Sequence, residues 1–277
     1  MPMFCAMVKS VLTCLALAAG LAFSPLSPAR AESPYASVIT AEILPGWETA
    51  RGTQMVGLRL KLAPEWKTYW RAPGDAGIPP RFEWSGSENL RSADLFWPRP
   101  EVIYQNGMRT IAYKHEVVLP IELTPQKPGA PITLNGVVEL GVCLDICMPM
   151  ELALHADLPA APEPAPIRAA LAQRPVPGYQ AGVGDVICSA TPLPDGLRLT
   201  TRITVPPLGG KEVAVVELAD PSIWVAEAEV SRRGNELTAV TDLVPANAAP
   251  FALDRSGVRI TLLSDSRAID IQGCVGG

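Results

Sequence analysis

VELGVCLDICMPMELALHAD, residues 138–157, is the stretch that decides how this chain folds. After the second cysteine, Leu152, Leu154 and Ala156 fall on one side of an extended backbone, and Glu151, His155 and Asp157 on the other. That is the period of a half-buried β-strand. The same stretch holds Cys143 and Cys147 with three residues between them. A disulfide needs Cα atoms roughly 4.4–6.8 Å apart, whereas a straight strand would separate these two by roughly 13 Å at ~3.3 Å per residue. A bond between them therefore requires a tight turn or a bulge. In the chain-entropy model a loop of about five residues is worth only ~2 kcal/mol. Weak as a staple, such a bridge suits a bond that is made and broken.

Working outward, alternation dominates. Val56, Leu58, Leu60 and Leu62 share one strand face, as do Val117, Leu119 and Ile121. The second half repeats the style with Leu197, Leu199, Thr201, Ile203 and Val205, then Val258, Ile260 and Leu262. Turn signals such as Pro194-Asp195-Gly196 and Arg233-Gly234-Asn235 separate the runs. Many short strands without alternating helices, in a chain with 29 prolines, predict antiparallel sandwiches rather than a parallel α/β sheet. PAAPEPAP, residues 159–166, reads as a stiff spacer, and a short helix is expected over Ile167–Arg174. The chain is thus expected to divide at a linker over 159–178 into domains of residues 32–158 and 179–277, each long enough for its own core.

The first residues read as an export signal over 1–31. Lys9 gives a positive start, Val11 to Phe23 an apolar core, and Ala29-Arg30-Ala31 a cleavage site, so the mature chain is expected to begin at Glu32. The apolar run is shorter than the ~20 residues of a membrane span, and no later segment approaches that length. A protein that does not itself span the membrane, in an oxidising compartment, is the expectation. The full-length charge of −5 becomes about −7 once Lys9 and Arg30 leave with a segment that has no Asp or Glu. An acidic chain without a basic block is a poor partner for nucleic acid or anionic lipid.

Cleavage leaves Cys143, Cys147, Cys188 and Cys274, and four cysteines allow three pairings. Position favours Cys143–Cys147 with Cys188–Cys274, a crossed pairing being the alternative. A Cys188–Cys274 bond would close nearly the whole second half and is worth about 4.6 kcal/mol in the entropy model, which reads as a structural clamp.

Two aromatic segments, WKTYWRAPGDAGIPPRFEW (66–84) and FWPRPEVIYQNGMRTIAYKHEVVLP (96–120), precede VELGVCLDICMPMELAL (138–154). Three motifs in this order resemble the periplasmic N-terminal domain of the thiol:disulfide interchange protein DsbD. They are closer still to the DsbD-type domains of copper-sensitivity-suppressor proteins of the ScsB kind, over most of residues 35–158. GKEVAVVELADPSIWVAEAEV (210–230) and the late Cys274 look like the companion domain of those longer members. The resemblance implies two immunoglobulin-like β-sandwiches and a periplasmic location. It also implies that Cys143 and Cys147 are the redox pair of a thiol-disulfide oxidoreductase, a protein-disulfide reductase component. Its partners would be a membrane-embedded thiol electron donor and periplasmic thioredoxin-like or disulfide isomerase proteins. The C-x-x-x-C spacing is tighter than in the best-known DsbD domains. The family's aromatic cap has no clear phenylalanine match, which makes Tyr104 and Tyr113 the nearest capping candidates.

The residues themselves add the chemistry. Exchange begins with thiolate attack on a disulfide sulfur and passes through a mixed disulfide. No Lys, Arg or His lies between the two cysteines to lower a thiol pKa, and Asp145 raises it, which fits a bridge attacked by a docked partner. No dissociable cofactor is expected, since the reducing equivalents live on sulfur. Two histidines and no G-x-S-x-G exclude the usual hydrolase constellations. Two alternatives stand beside the relay. Cys143, Cys147, Met148 and Met150 are soft donors suited to Cu(I), and a sandwich pair can serve as a passive interaction module.

Overall fold

The computed structural model describes residues 38–277, apart from residues 75, 76, 106, 160, 161, 163, 247 and 248. The expected export signal therefore lies outside the described residues.

The alternating runs fold as strands. In the first half these are β1 (Ile39–Glu48), β2 (Gln54–Leu62), β3 (Lys67–Tyr69), β4 (Arg81–Glu83), β5 (Leu90–Leu95), β6 (Glu101–Gln105), β7 (Met108–Lys114), β8 (Glu116–Pro125), β9 (Ile132–Cys143) and β10 (Cys147–Leu158). One sheet has the order β1-β2-β8-β5; the other runs β10-β9-β3-β7-β6, with β4 also paired to β9. The inner faces of the two sheets supply one core, in which Val56, Leu58, Leu119 and Ile121 meet Trp70, Ile111, Leu140 and Val142. Trp70 is wholly buried there, and Trp66, Trp84 and Trp97 pack against the same core.

Helix α1 (Pro164–Ala172) follows, starting three residues before the expected Ile167. Pro164 and Pro166 tolerate the first turn because its N–H groups have no partner to lose. The helix is docked rather than free. Ile167 is buried with Leu44, Met55 and Val118, and a Cβ on Gly57 of β2 would lie 2.9 Å from its Cγ1. The helix is thereby drawn onto the first sandwich.

The second half forms β11 (Val176–Pro177), β12 (Val186–Leu193), β13 (Gly196–Thr204), β14 (Val213–Glu217), β15 (Ile223–Val225), β16 (Glu229–Arg233), β17 (Glu236–Pro245), β18 (Arg259–Leu263), β19 (Ala268–Gln272) and β20 (Val275–Gly276). Its sheets have the orders β11-β19-β18-β14 and β15-β17-β13-β12-β20, with β16 on β17. Leu199, Ile203, Leu237, Ile260 and Leu262 are buried between them. The architecture is all-β, two immunoglobulin-like sandwiches. Pairing is antiparallel except at β11–β19 and β12–β20, each two residues long. The Pro194-Asp195 and Gly234-Asn235 signals sit in hairpin turns, Gly234 with φ +59°.

Cys188 on β12 is bonded to Cys274, with Cα atoms 5.8 Å apart. The bond fixes the last residues beside β12, where Ile187 faces Val275.

The sandwiches are not strung on an open spacer. Both belong to one compact unit, and Val213, Val215, Leu263 and Ala268 of the second sandwich join the core cluster of the first. Polar locks surround that seam. Arg71 donates to both carboxylate oxygens of Glu217 at 3.0 and 2.9 Å and to Thr261 Oγ1 at 3.0 Å, and Arg109 pairs with Glu227 at 3.3 Å.

Candidate redox site

The two cysteines close a hairpin. β9 and β10 pair antiparallel with Cys143 directly opposite Cys147, and Leu144-Asp145-Ile146 forms the tip. The straight-strand separation does not arise, because the chain reverses between the two residues. Their Cα atoms stand 4.2 Å apart and their sulfurs are bonded. Such closeness is what a non-hydrogen-bonded antiparallel pair offers, at about 4.5 Å.

The two sulfurs have unequal surroundings. Cys143 belongs to an inner strand of its sheet and is 1% exposed, packed with Tyr69 and Ala112 and covered by Ile78 and Ile103. Cys147 belongs to β10, the edge strand, and is exposed. Beside it Ile146 is 75% exposed.

Tyr69 is the side chain that meets the bridge. Its hydroxyl lies 2.6 Å from Cys143 Sγ and 2.9 Å from Cys147 Sγ. Bonded sulfurs carry no proton, so the phenol is the donor. Burial raises the Tyr69 pKa above its ordinary value, which keeps that donor protonated. Its ring lies against β9 because residue 141 is glycine. A Cβ there would stand 2.9 Å from Tyr69 Cε2 and 2.8 Å from Ile78 Cβ.

Strand pairing brings a cation as well. Lys67 of β3 stands opposite Cys143 of β9. The residue is buried, and its ammonium donates to Leu144 O at 3.3 Å and to Gln105 Oε1 at 3.2 Å, joining the β9–β10 tip to the end of β6. Burial lowers the Lys67 pKa, Lys114 lowers it further, and Asp145 opposes them. The absence of a cation between the two cysteines in sequence thus gave an incomplete picture of their electrostatics.

The tyrosines expected as a cap sit elsewhere. Tyr113 is buried and donates its hydroxyl to Pro98 O at 2.7 Å. Tyr104 is 50% exposed, its ring 3.7 Å from Lys211 Nζ of the second sandwich. Their neighbour Ile103 does pack on Cys143. The soft donors are separated too. Met148 and Met150 pack toward the core with Leu152, while Cys147, Pro149 and Glu151 occupy the opposite, exposed face of β10. Alternation along one strand aims thioether and thiol in opposite directions. Among the described residues no three His, Cys, Asp or Glu side chains gather as a metal-binding group.

Tyr69, Lys67 and Gln105 are the site residues that the sequence reading did not select. β3 is three residues long, too short for its alternation to stand out. The signal was present in Trp66–Trp70, where Lys67 and Tyr69 share one face and Thr68 and Trp70 the other.

A family profile described as thiol:disulfide interchange protein DsbD, N-terminal, matches residues 40–158. Among solved structures, the N-terminal periplasmic domain of ScsB from Proteus mirabilis is similar with a TM-score of 0.60 and 25% identity, over 86% of this chain and 92% of that one. The reduced DsbD N-terminal domain of Neisseria meningitidis aligns at 16% identity and a TM-score of 0.29, over 45% of this chain and 89% of that one. No curated protein matches the chain. Residues 40–158, with the sulfur pair at the end of their β9–β10 hairpin, are therefore similar to the DsbD N-terminal domain, within a chain whose fold resembles that of the ScsB periplasmic domain.

Proposed function

We propose that this protein is a periplasmic thiol-disulfide exchange component. It relays reducing equivalents between a membrane-embedded thiol donor and exported thioredoxin-like or disulfide isomerase proteins through Cys143 and Cys147. The observation that carries this reading is the pairing of one exposed and one buried sulfur under a single phenol donor. The periplasmic location is supported by the export signal read in residues 1–31 and by the location of the similar ScsB domain. Among the described residues no helix is long and apolar enough to cross a membrane.

The chemistry follows from access. A partner thiolate attacks Cys147 Sγ, forming a mixed disulfide, and the electron pair of the broken bond goes to Cys143 Sγ. The partner's second thiol then displaces Cys147, leaving both sulfurs reduced. In the delivery step the Cys147 thiolate attacks the acceptor's disulfide. Cys143 then attacks Cys147 Sγ, expels the acceptor thiolate and re-forms the bridge. Cys188–Cys274 takes no part and serves as a clamp on the second sandwich.

Leaving-group stabilisation falls to Tyr69. Its O–H is already aimed at Cys143 Sγ and can strengthen its bond as negative charge arrives there. Tyr69→Phe removes a hydrogen bond to a charged group worth about 1.5–3 kcal/mol. Reduction of the bridge by a dithiol protein should slow about ten- to a hundredfold by stopped-flow fluorescence. A rate within twofold of the parent would remove Tyr69 from the chemistry.

The reading as a whole is tested by mixing the oxidised protein with a reduced thioredoxin-fold protein and quantifying thiols on each by alkylation and mass spectrometry. Two electrons per molecule should reach Cys143 and Cys147, and the double variant Cys143→Ser/Cys147→Ser should accept none. A bridge that resists reduction there, or transfer that persists in the double variant, would defeat it.

A further inference from the structure

Lys67 is a buried residue whose ammonium reaches the rim of the site and donates to two neutral oxygens, Leu144 O and Gln105 Oε1. Buried charges are ordinarily paired, because an ammonium out of water is costly to hold without a counter-ion. Asp145 at the exposed hairpin tip acts on it only at a distance, and Lys114 of β7 adds a second positive charge. Lys114 in turn pairs with Glu101 of β6 at 3.7 Å. The fourth titratable group on this face is Tyr69, kept neutral by burial. No carboxylate among these accepts a hydrogen bond from Lys67.

The register says what anion this arrangement awaits. Lys67 and Cys143 are directly paired across β3 and β9, which sets their Cβ atoms roughly 4.5–5.5 Å apart on one face. Tyr69, two residues along β3 and so on that same face, has its hydroxyl on both sulfurs. Cys143 is enclosed, so a thiolate formed there has little water to stabilise it. A cation that, among the described residues, donates to no carboxylate thus adjoins a sulfur that becomes an anion when the bridge opens. In the oxidised state the ammonium is tied to the Leu144 carbonyl, one residue from that sulfur.

We infer that the Lys67 ammonium is the built-in counter-charge of the Cys143 thiolate, a positioning residue that keeps the buried sulfur ionised while the bridge is open. The inference rests on the exchange reading above and deepens it. Tyr69 supplies the hydrogen bond to the leaving sulfur, and Lys67 supplies the field. Reciprocally, the thiolate holds Lys67 charged. The Leu144 carbonyl and Gln105 keep the ammonium in place while the sulfur is bonded and neutral. No proton moves from Lys67 in any step, and the electron pair of the broken bond stays on Cys143 Sγ.

The test uses the Cys147→Ser protein, in which Cys143 is the free thiol of the hairpin, and reads thiolate by its ultraviolet absorbance against pH. Lys67→Gln keeps a donor for the Leu144 carbonyl but removes the charge. It should raise the Cys143 pKa by about one unit or more, about tenfold less thiolate below that pKa. Lys67→Arg should hold the pKa near the parent value. A merely structural tie between the two hairpin tips would leave the titration in place in both variants, and that result would overturn the inference. Parallel Lys67→Gln and Lys67→Arg proteins retaining Cys147 report, by closing the bridge on oxidation, that the hairpin still folds. The two readings fail separately. A shifted Cys143 pKa in a protein that exchanges with no dithiol partner would sink the relay and leave the ion pair standing.

Discussion

Cys143→Ser is expected to accumulate a mixed disulfide with its partner through Cys147, and Cys147→Ser to accumulate almost none. The asymmetry comes from where the hairpin lies in its sheet. β10 is the edge strand, so Cys147 faces solvent, whereas β9 is flanked by β10 and β3 and Cys143 is covered by Tyr69, Ile78 and Ile103. Attack on a disulfide sulfur needs the nucleophile in line with the S–S bond, so access selects the sulfur before intrinsic reactivity does. With Cys143 replaced, the adduct at Cys147 also lacks its internal resolving thiol and persists. Non-reducing electrophoresis followed by mass spectrometry of the cross-linked peptides would show which cysteine is joined. Equal yields from the two variants, or a linkage through Cys143, would mean that the hairpin opens before exchange and that the buried sulfur is reachable.

Trp70→Ala carries the largest expected loss of stability, about 3–5 kcal/mol for deleting a fully buried indole. Trp70 follows β3 directly and has no exposed surface. Its ring is covered by the Arg71 guanidinium at 3.9 Å to the centroid, and Arg71 is locked to Glu217 across the seam. Filling the hole would require two sheets and a second sandwich to shift together, which rigid packing resists. Denaturant titration should show a lower midpoint with little change of slope. An altered slope would show instead that the two sandwiches no longer unfold as a unit. Trp70→Phe, which keeps an aromatic ring in the site, should recover part of the loss. Equal midpoints for the alanine and parent proteins would place the first core's stability elsewhere.

Trp70 also couples stability to chemistry. The five residues Trp66–Trp70 alternate between a core face, with Thr68 and Trp70, and a sulfur face, with Lys67 and Tyr69. A core defect at residue 70 is therefore expected to disturb the phenol that meets the bridge. The Arg71–Glu217 pair then joins the segment that follows β3 to the second sandwich.

Fold class and sulfur pair were legible in the residues alone. Strand alternation is a local property, and Val56, Leu58 and Leu60, or Val117, Leu119 and Ile121, are buried as their period requires. The cysteine spacing demanded a chain reversal, and the β9–β10 hairpin supplies it. The company those sulfurs keep emerges only from the folded chain. Tyr69 and Lys67 lie more than seventy residues before Cys143 and reach it because β3 inserts between β7 and β9. Strand order in a sheet is set by long-range packing of both faces, and no local pattern in a three-residue strand encodes its neighbour. The same limit explains why Tyr104 and Tyr113, near in motif, do not place their hydroxyls on the bridge. It also explains why helix α1 is held against the first sandwich, through Ile167 and Ala170.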